Sequence, residues 1–175
     1  MNAQRQFVFG YGSLVAENEG CHVATLCGHR RSWAVAMDNR VDVPGYKFYR
    51  LRCDGSRPQV FVCFLDIEAD LACAVTGICM PVGERGLRRL DDRERNYDRI
   101  DVTAEIDGAR GRVWAYRGSD AGRARLRDGR ALGLAVASRD YLDGVLDAIA
   151  AIAPDEVASV QRSPAALDLE RIEIP

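Results

Sequence analysis

Residues 6–15, with the sequence QFVFGYGSLV, join a short apolar run to a turn that contains two glycines. The aromatic and β-branched residues at 7–9 predict a buried first strand. Gly10 and Gly12 flank Tyr11 where that strand ends, and glycine lets a backbone adopt positive φ and approach a ligand closely. Successive N–H groups in such a turn can form an anion-binding nest. The segment predicts either a structural turn, with Ser13 as a cap, or a cradle for a carboxylate or phosphate.

A second informative segment, residues 84–97, is dense in charge and lacks β-branched residues. Leu87 and Leu90 fall on one face of a helix, so residues 84–94 are predicted to form a short amphipathic helix that ends near Glu94. Taken by charge pattern alone, the segment LDDRERNY at 90–97 is typical of a solvated helix face.

The remaining chain is predicted to contain more strands than helices. Strands are expected at 22–38, 59–67, 73–82, 99–106 and 112–116, with an acidic turn at 66–70 and a glycine turn at 107–108. A helix capped by Ser138 is expected through Ile152. Residues 39–58 are expected to form a long loop or an irregular hairpin, residues 117–130 a loop, and the C-terminal tail is expected to be weakly ordered. We therefore predict an α+β fold of one domain over residues 1–175, with a mixed or antiparallel barrel-like sheet and a few flanking helices.

Composition excludes several function classes. The net charge is -2, so there is no general positive field to attract nucleic acid or an anionic membrane, and we expect neither as a partner. Neither a signal peptide nor a membrane anchor is recognisable. The six cysteines lie mostly in apolar stretches, which favours buried reduced thiols and a cytoplasmic protein.

Other familiar site motifs are not matched. The turn has no Gly-Lys-Ser/Thr ending of a P-loop, and Val15 stands where a dinucleotide fingerprint needs a third glycine. Cysteine spacing does not fit zinc, so no metal is expected. A cysteine–histidine nucleophile that uses Cys21 or Cys27 is conceivable but has no support from spacing alone.

The turn and the charged segment together resemble the γ-glutamyl cyclotransferase superfamily. FGYGSL at residues 9–14 is similar to the N-terminal signature of its ChaC-type branch, and Leu90, Asp91, Glu94 and Tyr97 are similar to the family's Leu-Asp-x-x-Glu pattern with its following tyrosine. The segment GHRRSW at 28–33 is weakly similar to the stretch that follows the second strand in that branch. The chain differs from the branch after Arg40, where Val41-Asp42-Val43 replaces Gly-Thr-Pro.

The resemblance implies an enzyme without a cofactor that converts a small γ-glutamyl peptide or amine into 5-oxoproline and a free amine. It implies Glu94 as the general base. Tyr97 is expected either to help place Glu94 or to pack in the core or at the rim, and the same packing alternative applies to Tyr116. The substrate-binding residues that it implies are Val8, Phe9, Gly10, Tyr11, Gly12, Ser13 and Tyr116. Glutathione, another γ-glutamyl peptide and a γ-glutamyl amine all remain open as substrates, and a non-catalytic module that binds such ligands is the alternative function.

Overall fold

Nine strands and four α-helices form the part of the chain that the computed structural model describes, residues 5–17 and 20–174. The strands are β1 (Gln6–Gly10), β2 (His22–Asp38), β3 (Lys47–Leu51), β4 (Phe61–Val82), β5 (Tyr97–Asp101), β6 (Arg112–Gly118), β7 (Ala135–Ser138), β8 (Ala165–Leu167) and β9 (Leu169–Glu173). The helices are α1 (Glu84–Arg93), α2 (Asp120–Ala131), α3 (Arg139–Ile152) and α4 (Val157–Gln161).

The main sheet is mixed and is organised around β4. Its strands run in the order β5-β6-β1-β4-β7-β8, and β2 pairs separately with β4. The β1–β6, β4–β7 and β7–β8 pairs are parallel, whereas the other three are antiparallel. An antiparallel bridge between Leu26 and Ile106 joins β2 to the segment after β5, while Val102 bonds to Val113 of β6. The sheet therefore curls on itself, and the predicted α+β class with a barrel-like mixed sheet is confirmed.

Strand β4 corrects the prediction of two strands separated by an acidic turn. The segment 66–70 lies within one continuous strand, because nearly every residue of β2 pairs with a residue of β4. Asp66 is fully buried, and Glu68 faces Arg30 across the pair with an ion-pair distance of 2.9 Å. Aspartates at both ends of this stretch are residues that turns favour, but cross-strand pairing with β2 outweighs that local preference.

Helix α2 corrects the predicted loop at 117–130. Ser119 caps the helix by accepting a hydrogen bond from the Gly122 N–H at 3.1 Å. Gly129 packs directly on Phe61, where a Cβ would come within 2.8 Å of the Phe61 Cβ. Arg123 and Arg125 donate to Asp66 and to the Ala36 carbonyl instead of facing solvent. The arginines thus attach the helix to the sheet.

Strands β3 and β9 correct two further predictions. Residues 39–58 were expected to form a long loop or an irregular hairpin and the C-terminal tail to be weakly ordered. Instead Lys47–Leu51 pairs antiparallel with Leu169–Glu173 as a separate two-stranded sheet. Neither segment signals a strand strongly alone, because each is short and carries charges. Their pairing across more than a hundred residues is a non-local contact.

The remaining differences are smaller. The predicted strand 99–106 ends at Asp101, whose carboxylate accepts from the Thr103 N–H at 3.0 Å and starts a 3₁₀ turn at Thr103–Glu105. Helices α1 and α3 have the expected bounds.

Only Cys63 and Cys79 are buried, so the expectation that most thiols are buried is wrong. Within the described ranges, none of the helices has the length and apolar character needed to cross a membrane.

Candidate active site

The glycine turn after β1 forms one wall of the candidate site. It runs through Tyr11 and Gly12 into a 3₁₀ helix at Ser13–Ala16. Neither Gly10 nor Gly12 has positive φ, so the turn does not use the left-handed conformation that glycine allows. The glycines provide space: a Cβ at Gly10 would lie 2.7 Å from the Leu14 Cβ, and one at Gly12 would lie 3.3 Å from the Tyr141 hydroxyl. The turn is therefore packed closely against the residues around it.

Two buried side chains fix the turn. The Tyr11 hydroxyl donates to the Tyr116 carbonyl on β6. Arg31 on β2 donates from Nε to the Tyr11 carbonyl at 2.8 Å, and its remaining nitrogens reach the Thr76 carbonyl at 2.7 Å and the Glu156 carboxylate at 2.8 Å. Since the Arg31 side chain is only 1% exposed, this fully bonded cation holds the turn in a defined position.

Helix α1 places Glu94 opposite this turn. Leu87 and Leu90 on its buried face pack in one cluster with Val8, Leu14 and Tyr116. Glu94 follows the last helical residue, and its N–H still bonds to the Leu90 carbonyl at 2.8 Å. The apolar face of the helix thus determines where the carboxylate lies.

The Glu94 carboxylate is mostly withdrawn from water, with 16% of the side chain exposed. Burial raises the pKa of Glu94, although Arg93 and Lys47 oppose the shift by stabilising the anion. The nearest cation is Arg93, whose Nε lies 3.2 Å from Oε1. A carboxylate with a raised pKa is a stronger base than an ordinary glutamate, which suits it to proton transfer near neutral pH.

Two adjoining cavities meet at Glu94. The smaller, of about 40 Å³, lies along the glycine turn, and the larger, of about 240 Å³, lies beneath the β3–β9 sheet. Four residues line both cavities: Ser13, Glu94, Tyr97 and Tyr141. Glu94 therefore faces a space that continues from the turn into the larger cavity.

Two tyrosines support the junction of the cavities through the backbone of β4. The Tyr97 hydroxyl donates to the Leu65 carbonyl at 2.7 Å, and the Leu65 N–H donates to the Tyr141 hydroxyl at 3.3 Å. Tyr97 also donates its own N–H to the Glu94 carbonyl at 2.9 Å. Tyr97 is thus in contact with the residue that it was expected to help place.

Most of the substrate-binding residues predicted from the sequence lie around the smaller cavity. Six of them line the smaller cavity: Phe9, Gly10, Tyr11, Gly12, Ser13 and Tyr116. Val8 lines neither cavity, because its side chain is fully buried beneath α1. The Tyr116 hydroxyl donates to Asp91 at 2.8 Å. Arg40 pairs with Asp38 at 2.8 Å and lines neither cavity.

Sequence reasoning missed most of the larger cavity. Its further walls include Tyr46, Lys47, Tyr49, Tyr141 and Arg171. Alternation of Lys47 and Tyr49 on one face of a strand was the available signal, but it lay within a segment predicted to be a loop. Across residues 5–17 and 20–174, no three histidine, cysteine or acidic side chains are grouped so that they could hold a metal ion.

Gly77 on β4 lies against the turn and offers a test of its packing. A Cβ there would overlap the Gly10 carbonyl and come within 2.6 Å of the Phe9 ring. We expect Gly77→Ala to lower the free energy of unfolding by roughly 1–3 kcal/mol, because the strands must separate. Urea unfolding measures this, with Gly144→Ala on α3 as the control because a Cβ there meets nothing within 4 Å. Equal stability of the two variants would contradict the close packing.

The fold and site define a class: an α+β protein with a curled mixed sheet, in which a buried carboxylate faces a glycine turn across a tyrosine-lined cavity. The family model described as Gamma-glutamyl cyclotransferase, AIG2-like matches residues 8–142. Because this match spans more than half of the chain, the protein belongs to that family.

Solved structures agree on the fold. A structure described as a gamma-glutamyl cyclotransferase has a TM-score of 0.54 and 11% sequence identity, and the match covers 92% of this chain and 89% of that one. An uncharacterized protein from Homo sapiens has a TM-score of 0.56 and 12% identity, with 93% and 90% coverage. Similarity at such identities concerns the fold alone. None of the curated proteins compared with the chain matches it in sequence.

Proposed function

We propose that this protein is a γ-glutamyl cyclotransferase that converts a small γ-glutamyl peptide or amine into 5-oxoproline and a free amine, with Glu94 as the general base. One observation carries the proposal: the buried Glu94 carboxylate lines both the cavity along the glycine turn and the larger cavity beside it. A base at this junction would stand between the γ-glutamyl group and its leaving group. Membership of the cyclotransferase family supports the reaction class.

The chemistry is an intramolecular aminolysis. The substrate's α-nitrogen attacks its own γ-carbonyl carbon, a new carbon–nitrogen bond closes the five-membered ring, and the bond to the leaving nitrogen breaks. Glu94 takes the first proton from the α-ammonium, which frees the amine to attack. The attacking nitrogen loses a second proton as the lactam forms. One of the two protons passes through Glu94 to the leaving nitrogen, which departs as the amine, and the other protonates that amine to an ammonium, so protons balance and no water is consumed. Both reacting groups belong to one molecule, and well-oriented reactions of this kind reach effective molarities of about 10⁵ M or more.

The glycine turn is the proposed cradle for the γ-glutamyl group. The backbone N–H of Gly12 donates to no protein acceptor among the described residues, which leaves it available to a substrate oxygen. Phe9 and Tyr116 close the smaller cavity around this position. Val8 contributes indirectly. Its side chain packs under α1, and this packing sets the distance between the helix and the turn. Holding the substrate curled is the main task of this surface.

The direct test is mass-spectrometric detection of 5-oxoproline after incubation with glutathione, γ-glutamyl dipeptides and γ-glutamyl amines. Release of 5-oxoproline with an equimolar amine would support the proposal, and the preferred compound would identify the leaving group. The alternative is a non-catalytic module that keeps the same fold and binds γ-glutamyl ligands without turnover. A γ-glutamyl compound that raises the melting temperature but yields no product would favour that alternative.

The pH dependence of turnover provides a further prediction. Glu94 works as the carboxylate, and its pKa is raised by burial, so it becomes protonated at a higher pH than a solvent-exposed glutamate does. We expect kcat/KM to fall tenfold per pH unit on the acid side, beginning above the ordinary glutamate value of about 4.3. Steady-state rates between pH 4 and 9 measure this profile. Full activity maintained down to that ordinary value would contradict a buried base.

A further inference from the structure

The β3–β9 sheet forms a charged wall of the larger cavity. In this antiparallel pair Tyr49 stands opposite Arg171, and Lys47 stands opposite Glu173. Side chains alternate between the faces of a strand, so Lys47, Tyr49, Leu169 and Arg171 share one face. All four line the larger cavity, and none lines the smaller one along the glycine turn. This wall therefore belongs to the side of the site away from the proposed γ-glutamyl cradle.

Lys47 is the unusual member of this wall. Its ammonium lies 4.7 Å from the centre of the Phe64 ring and 5.3 Å from that of Tyr46. In the part of the chain that the structure describes, no carboxylate lies within ion-pair distance of it and no side-chain hydrogen bond to it is formed. A partly buried ammonium held only by aromatic faces retains its capacity to donate hydrogen bonds to an anion.

The other charged groups of the cavity already have partners. Asp140 pairs with Arg52, and Arg93 pairs with both Glu94 and Glu17. Arg171 pairs with Glu173 but keeps 46% of its side chain exposed. Among the described residues, Lys47 is thus the charged lining residue of the larger cavity that has no ion-pair partner.

We propose that the larger cavity binds the leaving group of the substrate, and that Lys47, assisted by Arg171, binds a carboxylate on it. The substrate class would then be γ-glutamyl amino acids and peptides with a free C-terminal carboxylate, in preference to γ-glutamyl amines that lack one. This inference rests on the proposed cyclotransferase function. Arg171 lies outside residues 8–142, the range that the family model matches.

The surroundings of Lys47 predict how the preference depends on pH. Burial lowers the pKa of Lys47 to about 8, and Arg171 and Arg93 add repulsion while Glu94 and Glu173 oppose the shift. The ammonium is present below that pKa and is lost as pH rises through it. The preference for a carboxylate should therefore decline above about pH 8, whereas effects of Glu94 and of the substrate's α-amine cancel when two substrates are compared.

The test compares γ-glutamylalanine with γ-glutamylalaninamide, which differ only in the charge of the leaving group. We expect wild-type kcat/KM for 5-oxoproline release to be roughly 10- to 100-fold higher with γ-glutamylalanine, the range of a charge-assisted hydrogen bond. Equal values would overturn this inference and leave the proposed function intact. If no 5-oxoproline were released from either compound or from any other γ-glutamyl compound, both this inference and the proposed function would be overturned.

Variants at position 47 assign the preference to the ammonium. Lys47→Met, which keeps length and apolar contact with the rings, should bring the ratio of the two kcat/KM values close to 1. Loss of the ammonium also raises the pKa of Glu94, but this effect is common to both substrates and cancels in the ratio. Lys47→Arg should retain most of the preference. Arg50→Met is the matched control, because Arg50 lies on the other face of β3 and is exposed. A ratio that is unchanged in Lys47→Met would overturn the assignment.

Discussion

Glu94→Gln is expected to lower kcat by about 10²–10⁴-fold, the usual contribution of a general base, while substrate still binds. Glutamine is nearly isosteric but cannot accept the proton that the α-ammonium must lose before its nitrogen attacks. The carboxylate lies at the junction of the two cavities with 16% of its side chain exposed, so few alternative bases can reach the same position. Turnover of γ-glutamyl peptides, quantified as 5-oxoproline, measures the loss.

The melting temperature of Glu94→Gln shows whether the variant is folded. Because burial raises the pKa of Glu94 in the folded protein, the ionised carboxylate costs stability at neutral pH, and that cost disappears as pH falls below the ordinary glutamate value. Glu94→Gln should therefore melt at a higher temperature than wild type at pH 7.5, with a smaller difference at pH 4. A variant that is folded, binds a γ-glutamyl ligand and retains full turnover would remove Glu94 from the mechanism.

Asp66→Asn is expected to lower the free energy of unfolding by about 3 kcal/mol, the largest effect on stability that we predict, because the Arg123 charge left without its partner outweighs the relief of the desolvation that raises the pKa of Asp66. The Asp66 side chain is 0% exposed and accepts hydrogen bonds from the Gly118 N–H at 2.6 Å, the Ile67 N–H at 2.7 Å and both Nε and Nη2 of Arg123. The neutral amide would turn its NH₂ group toward the Arg123 guanidinium and leave that charge uncompensated. Part of the Arg123 side chain reaches solvent, which keeps the cost at the low end for a buried pair.

Denaturant unfolding of Asp66→Asn measures this loss, and Asp42→Asn is a suitable control. Asp42 pairs with Arg57 at the surface with 71% of its side chain exposed, so its replacement should cost less than about 1 kcal/mol. Asp66 also adjoins Leu65, whose backbone contacts Tyr97 and Tyr141, so reduced affinity for γ-glutamyl ligands should accompany the loss of stability. Similar stabilities of the two variants would show that the buried pair contributes little.

The parts of the site found from sequence are those built from local segments. The turn at residues 9–14 and Glu94 at the end of α1 each sit within a short stretch whose composition fixes its conformation. A strand that runs into glycines predicts a turn, and the Leu87–Leu90 spacing predicts which face of α1 is buried. Their meeting across one cavity follows from packing of that face on Val8 and Leu14.

The parts that sequence missed depend on partners distant in the chain. Lys47 and Arg171 are neighbours only because β3 pairs with β9, and neither segment is long or apolar enough to predict a strand alone. The arginines of α2 resembled a solvated loop, yet Arg123 and Arg125 find buried acceptors on β4 and β2. In each case a tertiary contact overrides the local pattern, and charge alone does not reveal which side chains will be paired.

The most direct measurement of the central claim is the fate of water oxygen during turnover. The protein would be incubated with a γ-glutamyl peptide in water enriched in ¹⁸O, and the acyl product identified by mass. Attack by the substrate's own α-amine predicts 5-oxoproline without ¹⁸O, released in equal amount with the amine. Glutamate carrying one ¹⁸O atom would instead mean that water attacks the γ-carbonyl, and the account of an intramolecular cyclisation governed by Glu94 would be wrong.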